Sequence, residues 1–206
     1  VHIIVDELLG FFSGNNSFGL TAGNKNTKVY GVYSPINRCG RTSLSVAFHS
    51  YFCSQENSSL LISFDEYDSL FSVLRKENSR DLSDVFYGYK TGDLNFAKLG
   101  ECISRVEDLN IVLPARYNED LFYLSDNELT KFMNDILLAN LFEVIVIDFG
   151  SIGRRSMQIL DMCEKIFCPV IGENNSVEMT KISEFKSLLG RNGYAEIIHK
   201  IYEMRL

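Results

Sequence analysis

Five short apolar runs are spaced along the sequence: KVYGVYS (Lys28 to Ser34), LLISF (Leu60 to Phe64), LNIVL (Leu109 to Leu113), EVIVID (Glu143 to Asp148) and IFCPVI (Ile166 to Ile171). Each is nearly continuous in apolar residues rather than alternating, the pattern of a strand covered on both faces. Helical patterns separate them. Thr42 to about Cys53, Asp84 to Lys90, Phe96 to Val106, Val177 to Leu189 and Ala195 to Met204 read as helices. Asp126 to Ala139 is the clearest, with Leu129, Phe132, Met133, Ile136 and Leu137 on one stripe. Strands alternating with helices in this way predict a three-layer α/β domain around a mainly parallel, twisted sheet.

Composition bounds the function. Hydrophobic residues make up 46% of the 206, enough for a sizeable core. The formal charge of -7 weighs against broad coating of nucleic acid. The five cysteines show no CxxC spacing, and His2, His49 and His199 are scattered, so no metal cluster is expected. The cysteine pattern fits reduced thiols. Val1 to Leu9 reads as the end of a helix, and Ser13 to Thr27 is a Gly- and Asn-rich linker. The expected layout is therefore the tail of an upstream domain plus linker over 1–27, and the α/β domain over 28–206.

The segment SPINRCGRTS, Ser34 to Ser43, lies between the first strand and the first helix. That is the place of a phosphate-binding loop of pattern G-x-x-x-x-G-K-[ST]. Gly40 and Thr42 match it, Arg41 stands at the lysine, and Pro35 stands at the first glycine. A helix N-terminus there offers free N–H groups and a positive dipole end to phosphate. Asn37, Arg38, Cys39, Gly40, Arg41, Thr42 and Ser43 are the candidate nucleotide-binding residues. Asn37 reaches the left-handed region more cheaply than Arg38 does. The alternative is an ordinary strand-to-helix turn with two surface arginines. Pro35 and Pro114 follow strand ends, on the edge where open α/β sheets bind ligands.

With strand, loop, helix and the later EVIVID strand in this order, the stretch from Lys28 onward resembles the ParA/MinD superfamily of P-loop ATPases with a deviant Walker-A loop. KVYGVYSPINRCGRTSLSVAF matches its first block, LLISFDEYDSL its second, and FEVIVIDFGS its third. DLSDVFYGYK and the EDL…ELTKFMNDIL arrangement are similar to the TadZ/CpaE branch, which localises and assembles tight-adherence pilus machinery. The resemblance implies a P-loop NTPase fold, ATP or ADP with Mg²⁺ as ligands, a homodimer, and pilus or secretion assembly proteins as partners. It implies a cytoplasmic location at the inner membrane face or cell pole, with only indirect or peripheral membrane contact; the charge of -7 and the absence of a basic run, rather than the resemblance, argue against nucleic acid as a partner. It also implies a receiver-like domain upstream and further strands downstream. By the same resemblance Arg41 and Asp65 are the catalytic candidates, and Thr42 and Asp148 hold the metal.

The departures are specific. Ile36 stands where the superfamily has its signature lysine, Arg41 replaces the catalytic lysine, and Ser63 replaces the first of two paired aspartates, leaving Asp65. These changes favour nucleotide binding over efficient hydrolysis and keep open a pseudo-ATPase scaffold or a partitioning or division regulator. Asp65 and Asp148 have a second reading as turn or helix-cap carboxylates. Arg154 and Arg155 read as a solvated pair, and His49 as a packed residue with no catalytic role. The Ile197, Ile201 and Met204 stripe reads as packing against the sheet, with a membrane-binding amphipathic helix as the alternative.

Overall fold

The structure is a computed structural model that describes residues 27–66, 79–106, 108–150, 157–171 and 176–205. The expected upstream tail and linker lie outside these residues except for Thr27, as do Arg154 and Arg155. Seven strands form one sheet: β1 (Lys28–Val32), β2 (Ser59–Ser63), β3 (Ile103–Val106), β4 (Leu109–Val112), β5 (Val144–Asp148), β6 (Lys165–Val170) and β7 (Ile201–Arg205). Their order is β3-β4-β2-β5-β1-β6-β7. Every pairing is parallel except β3 with β4. The helices are α1 (Arg41–Ser54), α2 (Leu82–Lys90), α3 (Phe96–Cys102), α4 (Asp126–Ala139), α5 (Met157–Met162) and α6 (Ser176–Arg191), with 3-10 turns at Asn118–Phe122 and Ala195–Lys200. This is the expected α/β class with its mainly parallel sheet.

Strand periodicity divides the core into two faces. Tyr30, Val32, Leu61, Val144 and Val146 point to one side and pack with Leu44, Phe48 and Phe52 of α1. Val29, Leu60, Ile62, Ile145 and Ile147 point to the other and pack with α2, α4, α5 and α6 through Phe86, Phe132, Leu160 and Leu189. Both faces of β2 and β5 are buried, which is why their sequences show no polar alternation. Gly31 sits one residue before the end of β1, where an added Cβ would lie 2.7 Å from the Phe149 ring and 3.0 Å from the Cys163 sulfur.

Capping boxes set the starts of two helices. Asp81 accepts from the Ser83 N–H at 2.9 Å while Asp84 accepts from the Asp81 N–H, so α2 starts two residues before the expected Asp84. Ser125 and Glu128 make the same reciprocal pair at α4, and Asn140 ends that helix at φ 50°.

Two helical expectations are corrected. The run Phe96 to Val106 is helical only to Cys102; Ile103 then turns extended and 103–106 pair antiparallel with β4. Branched Ile103 and Val106 lose little as strand residues, and the hairpin supplies the ladder bonds. The run Ala195 to Met204 is a 3-10 turn followed by β7, which pairs parallel with β6. Its 3.6-residue stripe is split: Ile197 and Met204 are both buried, but in the cores on opposite faces of the sheet rather than along one helix. The membrane-helix alternative is thereby removed, and among the described residues no helix is long and apolar enough to cross a membrane. α5 and the outer strands β3 and β7 were not anticipated.

His49 is fully buried on α1, with Nδ1 2.6 Å from the Ser59 hydroxyl on β2. Burial lowers its pKa to about 4. The unfolded chain therefore takes up a proton near pH 6.5 that the folded chain refuses, and stability falls as pH drops from about 6.5 to about 4. Replacing His49 by Leu should remove about 3 kcal/mol of that slope. Urea titrations of both proteins across this range test it, and parallel pH curves would contradict it.

Candidate functional site

Register builds the site. Val32 on β1 and Ser63 on β2 both lie beside Asp148 at the end of β5. The three strand ends therefore meet at the carboxyl edge, where the chain order reverses: β1 leads outward to β2, and β5 returns between them. The loop 33–40 rises from β1 and delivers α1 onto this edge.

That loop is anchored from below. Ile36 is buried, with its N–H donating to the Ser34 hydroxyl at 3.2 Å. The Cys39 thiol donates to the Ile36 carbonyl at 3.1 Å and packs with Ile36, Cys168, Val170 and Ile182, where burial raises its pKa. Asn37 and Arg38 are exposed at the tip. The sequence favoured Asn37 as the left-handed residue, but Arg38 takes that conformation, at φ 57°, and Gly40 takes it again at φ 77°. The buried flanks Ile36 and Cys39 fix where the chain must reverse, and Arg38 bears the strain of that placement.

Gly40 caps α1 with its backbone alone, and Leu44 makes the first helical bond, to the Gly40 carbonyl at 2.9 Å. The N–H groups of Arg41, Thr42 and Ser43 precede it, and among the described residues no side-chain cap is present. An uncapped helix start facing strand ends is suited to an anion.

The side chains complete the arrangement. The Arg41 guanidinium donates to the carbonyls of Ser34, at 3.4 Å, and Gly150. It thus ties the loop to the chain leaving β5. Gly150 has φ +53°, and an added Cβ would lie 2.6 Å from the Phe64 carbonyl oxygen, so the position has no room for a side chain. The Thr42 hydroxyl donates to Asp65 at 3.4 Å. Ser63 donates to Asp148 at 3.3 Å and accepts from the Asp65 N–H at 3.3 Å, so one hydroxyl aligns both carboxyl-bearing segments. The Gly150 N–H donates to the other Asp148 oxygen at 3.3 Å.

Asp148 is fully buried. Its pKa is pushed up to about 6, first by burial and then by the neighbouring Asp65 carboxylate, against the opposing pull of Thr42, the Gly150 N–H and Arg41. Two carboxylates and a threonine hydroxyl beside an uncapped helix start make an all-oxygen donor set, which suits a hard divalent cation such as Mg²⁺. Thr42, Asp65 and Asp148 would hold the cation, and the α1 N–H groups would hold phosphate oxygens.

Of the expected residues, Arg41, Thr42, Asp65 and Asp148 are brought together, with Ser43 at the helix start. Asn37 and Arg38 lie out on the tip, and the Cys39 side chain is turned into the core. Ser34 and Gly150, whose carbonyls hold Arg41, were missed. The FGS following the strand aspartate was the one available signal for Gly150.

No protein-family model matches the sequence, and no curated protein matches it. Solved structures do match in shape. A ParA family ATPase from Chlorobium tepidum TLS superposes with a TM-score of 0.65 at 15% identity, covering 87% of this chain and 73% of that one. The chain has the ParA/MinD P-loop fold. The septum site-determining protein MinD of Pyrococcus horikoshii OT3, solved with Mg-ADP, gives 0.61 at 16% identity over 82% of this chain and 67% of that one. A plasmid partition protein of Borrelia burgdorferi B31, solved with AMPPNP, gives 0.60 at 16% identity over 87% and 76%. The ParA/MinD fold carries the α/β expectation through to its topology.

The raised pKa of Asp148 has a stability consequence. Between about pH 4 and pH 6 the folded protein holds a proton that the unfolded chain has released, so stability falls as pH rises through this window. Above it, ionised Asp148 costs the nucleotide-free, metal-free protein about 3 kcal/mol. Asp148→Asn should be more stable than the parent above pH 6 in chelator, by about 1–3 kcal/mol, with the advantage shrinking toward pH 4. Denaturant titration at the two ends of this range is the check. An advantage independent of pH would count against the assignment.

Proposed function

We propose that the chain is a ParA/MinD-type nucleotide switch that binds ATP with Mg²⁺ and turns it over poorly, if at all. The observation that carries this reading is the uncapped start of α1 set beside Thr42, Asp65 and Asp148. The likeness in fold to proteins solved with Mg-ADP and AMPPNP supports it. The cation would neutralise phosphate charge; the chain's own residues supply the N–H cradle, the carboxylates and the Arg41 strut.

Weak turnover follows from two positions. Ile36 is apolar and buried, so the loop has no side chain there to neutralise phosphate. Arg41 already donates to two backbone carbonyls, and its planar fork does not replace a compact ammonium. Phosphoryl transfer depends on charge neutralisation in the transition state, and both substitutions weaken it. A scaffold that binds nucleotide without hydrolysis is the second reading, favoured by the same two residues.

In the finer reading, the switch acts in localisation and assembly of a tight-adherence pilus or secretion system. It would work as a homodimer with the assembly proteins as partners, in the cytoplasm at the inner membrane face or cell pole. The motif resemblance to the TadZ/CpaE branch supports this. A DNA-partitioning role would need a basic surface, and the net charge of -7 disfavours one.

Calorimetry with Mg-ATP tests the core of the proposal. The parent should bind in the micromolar range, and Arg41→Ala should bind at least about tenfold more weakly, having lost charge-assisted hydrogen bonds. Absence of heat up to millimolar ATP would sink the switch reading.

A further inference from the structure

Between α2 and the 3-10 turn Asn118–Phe122 lies a cleft of about 240 Å³ lined by Ser83, Asp84, Tyr87, Asp120 and Tyr123, none of them a residue of the candidate site. It opens into a wider groove of about 380 Å³ that shares Ser83, Asp84 and Asp120. The two arginines of that wider groove are engaged. Arg80 pairs with Glu101 at 2.7 Å, and Arg116 lies 3.9 Å from the buried Asp81 carboxylate.

Three features of the smaller cleft point to one kind of occupant. Its lining carries two carboxylates and no cation among the described residues. Its aromatic content is out of place on a free surface: Tyr87 is 61% exposed and Tyr123 41%, and Tyr117, 64% exposed, lines the wider groove. Aromatic side chains gathered in an exposed patch are characteristic of interfaces. Finally, the Ser83 hydroxyl oxygen at the cleft is buried with no hydrogen-bond partner among the described residues. It is a polar atom left unsatisfied beside the two carboxylates.

The rings themselves show what they accept. The Tyr87 and Tyr123 centroids are 6.4 Å apart, tilted by 32°. The Lys90 ammonium already sits 4.7 Å from the Tyr123 centroid while donating to the Tyr123 carbonyl. The edge of the cleft therefore already holds a cation against an aromatic face.

We propose that this cleft docks a basic segment of a partner protein, an arginine guanidinium stacking on the tyrosine rings and donating to Asp84 and Asp120. Arginine suits it better than lysine because its plane stacks and its fork bonds carboxylates in pairs. Charge chooses among the occupants. Nucleic acid and anionic lipid would meet two carboxylates, and a second copy of a chain of net charge -7 brings an acidic surface to an acidic one. The proposal does not rest on nucleotide binding.

The test uses the full chain and short fluorescent peptides carrying arginines in a Gly-Ser-Leu background, with sister peptides in which lysine, neutral citrulline or glutamate replaces arginine. Anisotropy should rise with the arginine peptide, less with lysine, and not with citrulline or glutamate, and binding should weaken with added salt. Tyr87→Ala and Asp120→Asn should each weaken it about three- to tenfold while leaving Mg-ATP binding unchanged. Asp120→Asn is nearly isosteric, so it remains informative if the tyrosine variant folds poorly. Equal binding of arginine and citrulline peptides, no binding of either, or no loss in both variants would overturn the proposal. So would self-association abolished by the same substitutions, which would identify the occupant as a second copy.

Discussion

A buried carboxyl group at the meeting point of three strands organises this protein. Asp148 ends β5 between Val32 of β1 and Ser63 of β2, and among the described strand residues it is the one buried carboxylate. A carboxylate placed there without partners would cost several kcal/mol. The surrounding structure reads as a response: Ser63 and the Gly150 N–H bond its two oxygens, and Arg41 crosses from the loop to the Gly150 carbonyl. Phe149 continues the strand's path, its N–H on the Val32 carbonyl and its ring over Gly31. The glycine near the end of β1 and the glycine after β5 thus serve the same junction.

The same junction gives the fold a ligand site without further machinery. Reversal of the strand order between the parallel strands β1 and β5 leaves a crevice at their carboxyl ends, and the loop after β1 has to cross it to start α1. A helix that starts there with no side-chain cap presents its N–H groups to the crevice. Ile36 and Cys39, packed below the loop, hold its shape by apolar contacts. The loop is therefore built from the core outward, and this explains how Asn37 and Arg38 can stand at glycine positions: both lie on the exposed tip, where side chains have room.

Much of this was legible in the sequence, and the reason is the sheet's burial. Strands covered on both faces stand out as continuous apolar runs, so β1, β2, β4, β5 and β6 were visible, and with them the place of the loop and of Asp65 and Asp148. The edge strands were not. β3 and β7 have one open side, their residues are mixed, and both followed helical spacing; only the vacant edges of β4 and β6 decide for strand. Left-handed Arg38 was illegible for a related reason, since its conformation is imposed by buried neighbours on either side. The Arg41 contact with Gly150, across 109 positions of chain, depends on register alone. The tyrosine-lined cleft likewise joins α2, which ends at Lys90, to a turn that starts only at Asn118, and no local pattern announces it.

The central claim is that the start of α1 is a phosphate cradle with a cation beside it. Backbone amide shifts measured by nitrogen-15 NMR during a titration with Mg-ATP address it most directly. The account predicts that the amides of Gly40, Arg41, Thr42 and Ser43 move most, that Asp148 and Gly150 follow, and that the shifts at Thr42 and Asp148 collapse when magnesium is chelated. Shifts spread over other surfaces, or none at residues 40–43 at saturating Mg-ATP, would contradict it.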